Sequence, residues 1–123
     1  MDQSGKGNIK ATGRLEDIVW GAVFQIDSSE LLHLDQAESL GVGYKRQHLS
    51  VVTPQGRLNV FTYLALLQDD ALCPFDWYKA YVVQGALDLG IPATYIQQIQ
   101  AVPSIPDPDV ERRQYHFELQ QPR

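Results

Sequence analysis

Two carboxylates stand at the end of an apolar segment in LDQAESLGVGY, residues 34–44, where the chain runs into glycines. A helix over residues 27–38 places Glu38 on the same face as the two leucines at positions 31 and 34, with Asp35 at the margin of that face. A carboxylate held on an apolar face is disfavoured in its charged form, which suits a general acid or base. The pattern alone favours a helix that is simply ending, with Glu38 pointing to water, because helix ends often carry acidic residues.

Three tyrosines form a second set of candidates. Tyr44 follows the glycines, Tyr63 lies on a predicted strand, and Tyr78 stands near the start of a predicted helix. Three phenols of this kind could converge on a polar ligand. They could also pack at the rim of a core with their hydroxyl groups in water, which is the interpretation that the pattern alone favours.

Other motifs that could carry chemistry are weaker. The three histidines, at positions 33, 48 and 116, have no metal-ligand spacing, and Cys73 has no second cysteine to support a zinc site. Cys73 precedes Pro74 with no glycine elbow, so we interpret it as a passive thiol. The segment GKG at residues 5–7 lacks the spacing of a phosphate-binding loop. We therefore predict no metal site.

Composition limits the class of protein. The chain has 123 residues, of which 44% are hydrophobic and 20% charged, so we predict a single globular domain over residues 1–123. Within it, residues 1–8 form a polar N-terminal segment and residues 104–123 a proline-rich C-terminal extension. A net charge of −5 argues against nucleic-acid binding, and the basic pairs Lys45–Arg46 and Arg112–Arg113 are interpreted as solvated surface.

The same composition bears on location. No apolar run approaches the roughly 18 residues of a membrane span, so no membrane partner is expected. A single cysteine excludes an internal disulfide framework and fits a reducing compartment, which predicts a cytoplasmic protein.

The elements that must position the candidate residues can be read from periodicity. Apolar residues at nearly every position of IVWGAVFQI, residues 18–26, predict a central strand covered on both faces. Asp27 can cap the helix over residues 27–38. Alternation predicts strands over residues 44–53 and 57–67, joined by the turn sequence PQG into an antiparallel hairpin.

The C-terminal half of the chain is predicted to be mainly helical. A helix over residues 75–90, with Asp76 as its N-cap, is followed by a shorter helix from Pro92 to about residue 100. The proline-rich stretch at residues 102–110 cannot be regular, and YHFEL at residues 115–119 could form a short edge strand.

Four segments in this order carry a family resemblance: VWGAVFQI, LDQAESLGVGY, TPQGRLNVFTYLA and YKAYVVQGALDLGIPATYIQQI. Together they resemble the gamma-glutamylcyclotransferase-like family, which includes the AIG2-like and butirosin-biosynthesis cyclotransferase proteins. The resemblance covers roughly residues 8–103. It implies an α+β fold, a small mixed β-barrel with flanking helices, and a reaction that needs no metal or organic cofactor.

The resemblance also assigns roles to residues. In the family the glutamate of the L-D-x-x-E motif is the catalytic acid/base, and the matching residue is Glu38. The implied reaction converts a gamma-glutamyl amine or amide to 5-oxoproline and a free amine, which makes the protein a lyase or transferase if active. Tyr44, Tyr63 and Tyr78 fall at or near positions that line the family's pocket and are the substrate-contact candidates.

One family feature is not found in the sequence. Members usually begin with a strand and loop similar to Y-G-S-N-L, whose backbone N–H groups hold the substrate, so we expect a fold N-terminally truncated relative to the family. A barrel without that strand exposes an edge, which predicts a homodimer or larger homo-oligomer unless a terminal segment of the chain fills the gap. The alternative to an enzyme is a non-catalytic small-molecule-binding or oligomeric module that has lost the substrate loop.

Overall fold

The computed structural model describes residue 4 and residues 8–9, 12–37, 44–65 and 71–121. Its contacts divide the chain into two compact units. The first, here called the hairpin unit, comprises residues 7–68; the second, the helical unit, comprises residues 1–6 and 69–123. Two such units can belong to one domain, so the single domain over residues 1–123 stays a prediction.

The hairpin unit contains one helix and two strands among its described residues. Helix α1 spans Ser28–Ala37, and strands β1, Tyr44–Thr53, and β2, Gly56–Ala65, pair antiparallel, which confirms the predicted hairpin. Gly56 has a φ of 113°, a conformation that glycine adopts without steric cost. The Thr53 hydroxyl also donates to the Gly56 carbonyl over 2.9 Å, so this local chemistry sets the turn.

The helical unit contains three described helices: α2, Asp76–Asp88; α3, Ala93–Gln100; and α4, Val110–Leu119. Its buried apolar residues are Phe75, Ala86 and Ile96. Helix α2 ends in a Schellman motif around Gly90, in which the N–H groups of Gly90 and Ile91 donate to the carbonyls of Leu87 and Ala86 over 3.1 Å.

Two local predictions in this unit are wrong. The N-cap of α2 is Phe75, and Asp76 is instead the first helical residue, its carboxylate accepting from the Trp77 backbone N–H over 2.8 Å. Residues 115–119 are helical, because Asp109 caps α4 by accepting from the Arg112 N–H over 3.1 Å. The sequence of residues 115–119 alone does not contain this cap, which is why it was predicted to be a strand.

Residues 18–26 also differ from expectation. They form no strand in the structure and are largely exposed, Phe24 by 79% and Ile18 by 62%. Apolar alternation indicates what a strand could bury, but a strand exists only when its N–H and C=O groups pair with a neighbour. Among the described residues the only sheet is the β1–β2 hairpin.

Helices together with an antiparallel sheet confirm the predicted α+β class. A closed barrel is not formed by the described ranges. In the same part of the chain, no helix combines the length and apolar character that crossing a membrane requires.

Candidate functional site

The polar and aromatic side chains that could form a site lie on one face of the hairpin. Because side chains alternate along a strand, Tyr44, Arg46 and His48 project from the same face of β1. The antiparallel register pairs Arg46 with Tyr63 and His48 with Phe61, so those two β2 residues share that face. The strand register therefore places Tyr44 and Tyr63, two of the three candidate tyrosines, on one face of the hairpin.

Asp35, near the end of α1, completes this cluster. Its Oδ1 atom accepts a hydrogen bond from the Tyr63 hydroxyl over 2.5 Å, and its Oδ2 atom forms an ion pair with Nη2 of Arg46. The Asp35 side chain is 15% exposed and that of Arg46 is 29% exposed. Each carboxylate oxygen thus has a donor, and the two opposite charges balance.

The Arg46 guanidinium is held from a second side by an aromatic ring. It lies 5.5 Å from the centroid of Phe61, at cation–π distance, and the Phe61 and Tyr63 rings meet edge to face at 5.9 Å. Its buried Nε–H has no hydrogen-bond partner among the described residues. The cluster therefore orders Arg46 and, within the part of the chain that the structure describes, leaves its Nε–H donor unpaired.

The environment of Tyr63 changes its acidity. Burial is the main factor raising the pKa of Tyr63, the hydrogen bond to Asp35 and the negative charge of Asp35 raise it further, and Arg46 partly opposes them. The phenol is therefore neutral at physiological pH, and its single proton is directed at Asp35.

The predicted site residues fall in different places. Tyr44 is half-buried on the same face as Tyr63, and its strand partner is Ala65. Tyr78 belongs to the helical unit, on α2, where its ring meets that of Trp77 edge to face at 6.2 Å. Glu38 lies outside the described residues.

Sequence reasoning missed the involvement of Arg46. The pair Lys45–Arg46 was interpreted as solvated surface, which is correct for exposed Lys45 and wrong for half-buried Arg46. Strand alternation carried the missing signal, because it separates the two neighbours onto opposite faces. Asp35 was placed at the margin of an apolar face, and the structure shows that this margin faces the hairpin.

The helical unit has its own carboxylate network, centred on Asp107, whose side chain is fully buried. Arg112 donates to it through Nε and Nη2 over 2.5 and 2.7 Å, Trp77 through Nε1 over 2.8 Å, and Asp109 through its backbone N–H over 2.9 Å. The Arg112 hydrogen bonds, aided by those from Trp77 and Asp109, hold the pKa of Asp107 well below its usual range although burial opposes them. The interpretation of Arg112 as solvated surface is therefore wrong.

An open cleft of about 430 Å³ lies in the same unit. Its charged groups already have partners, since Asp76 pairs with Arg113 at 2.9 Å and Lys79 donates to the Gln100 carbonyl over 2.6 Å. No group of three potential metal ligands occurs within the described ranges. The cleft is lined by Asp76, Lys79, Ala80, Val83, Gln84, Ser104 and Gln120.

Comparison with known proteins gives consistent relatives. A gamma-glutamylcyclotransferase from Homo sapiens is 28% identical over 87 residues, which cover 70% of this chain and 46% of the relative. The enzyme of the same name from Bos taurus is 26% identical over the same shares. The chain spans about half the length of the curated relatives it matches.

Solved structures show the same fold. A gamma-glutamyl cyclotransferase aligns with a TM-score of 0.60 and 21% identity, over 76% of this chain and 57% of the other. A crystal structure of a human protein described as uncharacterized aligns with a TM-score of 0.58 and 23% identity, over 71% and 55%. The model of the AIG2-like family matches residues 18–99, more than half of the sequence. The chain therefore belongs to the AIG2-like family.

Proposed function

We propose that this protein is a gamma-glutamylcyclotransferase-like enzyme that converts a gamma-glutamyl amine or amide to 5-oxoproline and a free amine. The observation that carries the proposal is the AIG2-like match over residues 18–99, which spans both the L-D-x-x-E motif and the hairpin. The names of the curated relatives support the reaction class. No cofactor is needed for this chemistry.

The reaction balances with one proton-transfer group, for which we propose Glu38. Glu38 takes a proton from the substrate α-ammonium, and the freed amine attacks the side-chain carbonyl carbon to form the ring C–N bond. The bond from that carbon to the departing nitrogen then breaks as Glu38 passes its proton to that nitrogen. The second proton, lost from the new ring nitrogen, follows the same route through Glu38, so the amine leaves as an ammonium ion. Because the nucleophile belongs to the substrate itself, the enzyme must mainly fold the substrate and move the proton.

Tyr44, Tyr63 and Tyr78 are the proposed substrate contacts. Support is strongest for Tyr63, whose hydroxyl is oriented by Asp35, and for Tyr44, which shares its hairpin face. For Tyr78 the support is the family resemblance.

The direct test is to incubate the protein with a series of gamma-glutamyl amines and to measure 5-oxoproline by mass spectrometry. We expect product from the natural sequence and a rate about 10²–10⁴-fold lower from Glu38→Gln, the range for loss of a general acid/base. The exposed-helix variant Asp88→Asn is the control and should retain the rate. Equal product from Glu38→Gln would contradict the role of Glu38; binding without any product would favour the alternative, a non-catalytic binding module.

We further propose that the protein forms a homodimer or larger homo-oligomer in the cytoplasm. The exposed apolar residues 18–26 support an association in which a second copy covers this segment. Light scattering during size-exclusion chromatography should give at least twice the 13.9 kDa chain mass, and Phe24→Ser should lower it. A monomeric mass at all concentrations would contradict the assembly.

A further inference from the structure

The hydrogen bond from Tyr63 to Asp35 determines what Tyr63 can offer a ligand. A phenol carries one proton and can accept through the lone pairs of its oxygen. Here the proton is directed to Asp35 Oδ1 over 2.5 Å. The Tyr63 oxygen can therefore still accept a hydrogen bond, but it has no second proton to donate.

Arg46 balances the negative charge of Asp35, so this face selects a ligand by the orientation of the Tyr63 oxygen rather than by general attraction of positive charge. Its ion pair with Asp35 balances the carboxylate, and its contact with Phe61 holds the guanidinium in place. A cation approaching this face therefore meets a neutralised pair. Donation to a carboxylate also polarises the phenol and makes its oxygen a better acceptor.

From this geometry we propose that Asp35 is a positioning residue: it orients the Tyr63 hydroxyl so that the Tyr63 oxygen accepts a hydrogen bond from the α-ammonium group of a gamma-glutamyl ligand. The choice of ligand rests on the proposed function. Of the ligand's polar groups, the ammonium and the amide N–H can donate, whereas the carboxylate and the amide oxygen only accept. The charged ammonium forms the stronger hydrogen bond.

The test compares two probes that differ only in the amine. They are gamma-L-glutamyl methylamide and glutaric acid monomethylamide, in which hydrogen replaces the α-ammonium group. Dissociation constants are measured by calorimetry in a Glu38→Gln background, which prevents turnover of the first probe. The readout is amine selectivity, the ratio of the dissociation constant of the second probe to that of the first.

We expect Tyr63→Phe to lower amine selectivity about tenfold or more, as for loss of a hydrogen bond to a charged group. Asp35→Ala should lower it similarly, and the double variant should be no worse than either single variant, because both remove the same contact. Asp35→Asn, which keeps one acceptor oxygen for Tyr63, should retain more selectivity than Asp35→Ala. Tyr115→Phe and Asp88→Asn, an exposed phenol and an exposed carboxylate of the helical unit, are the matched controls and should change nothing.

Tyr63→Phe keeps the proposal testable if Asp35→Ala does not fold, because it leaves the ion pair of Asp35 with Arg46 intact. The proposal is overturned if selectivity is unchanged in Tyr63→Phe, or if both probes weaken equally, as a purely structural role would require. Failure of the Glu38→Gln protein to bind either probe at millimolar concentration would overturn it as well.

A different result would contradict the proposed function. It fails if the protein with native Glu38 makes no 5-oxoproline, even where amine selectivity responds to Tyr63→Phe. Conversely, product formation with selectivity unaffected in Tyr63→Phe would retain the function and remove the role of Asp35.

Discussion

The two carboxylate networks of the molecule use similar parts to different ends. Asp107 in the helical unit and Asp35 in the hairpin unit each pair with an arginine and each accept from an aromatic side chain. Asp107 is fully buried and accepts four hydrogen bonds from three residues. Asp35 is 15% exposed and accepts one bond on each oxygen.

This difference separates a structural carboxylate from one beside a candidate site. The donors of Asp107 come from α2, from the loop before α4 and from α4, so the group joins elements and has no accessible surface for a ligand. Asp35 instead orients Tyr63, whose oxygen retains acceptor capacity. Both carboxylates pair with an arginine, so what distinguishes them is the number of hydrogen bonds that each accepts: four at Asp107 and two at Asp35.

Replacing Asp107 should have the largest effect. Asp107→Ala leaves the Arg112 guanidinium and the Trp77 N–H without their buried acceptor, and we expect the thermal unfolding midpoint to fall by about 10 °C or more. Circular dichroism measures this shift. Asp88→Asn on the exposed side of α2 is the control, and an equally small shift in both variants would remove the distinction between the networks.

The second-largest expected effect is a loss of stability at acid pH. Because the fold lowers the pKa of Asp107, its contribution to stability is present above the unfolded value of about 4 and is lost as the pH falls below it. Urea unfolding of Trp20→Phe, followed by Trp77 fluorescence, should show the helical unit weakening as the pH falls below about 4. In Asp107→Asn this acid-dependent loss should be smaller; an unchanged loss would contradict the assignment.

The Asp35 network should contribute less to stability. Arg46→Met removes the ion pair but leaves the Tyr63 hydrogen bond and partial solvent access to Asp35, so we expect a loss of about 1–2 kcal/mol in the free energy of unfolding. Arg57→Met, at an exposed position of the same hairpin, should change it by less than about 0.5 kcal/mol. A loss from Arg46→Met as large as that from Asp107→Ala would make the two carboxylates equivalent.

The smallest expected effect is a loss of stability at alkaline pH. Because the fold raises the pKa of Tyr63, the related stability is present below the unfolded value of about 10 and is lost as the pH rises above it. Phenolate absorbance should show a component that titrates above the ordinary range of a tyrosine, and this late component should vanish in Tyr63→Phe. Its persistence in that variant would assign it to another tyrosine.

Local patterns predicted much of the fold but not the partners within the site. The hairpin and the end of α2 at Gly90 follow from nearby residues, and both are confirmed. The strand expected at residues 18–26 depended on a neighbour that local pattern cannot supply. The family resemblance made Tyr63 a candidate, whereas the pair Lys45–Arg46 was interpreted as solvent-exposed although strand alternation places its two members on opposite faces.

The sequence by itself determined which residues alternate on β1 and β2 and which glycine ends α2, because these depend on contacts within a few residues. Only the tertiary structure decided that Asp35 meets Arg46 and Tyr63, which lie 11 and 28 residues further along the chain. Contacts over such distances depend on where the folded chain places the Asp35 side chain relative to the hairpin. The same physical reason explains why Asp107, 30 residues after Trp77, emerges as a buried centre only in the folded molecule.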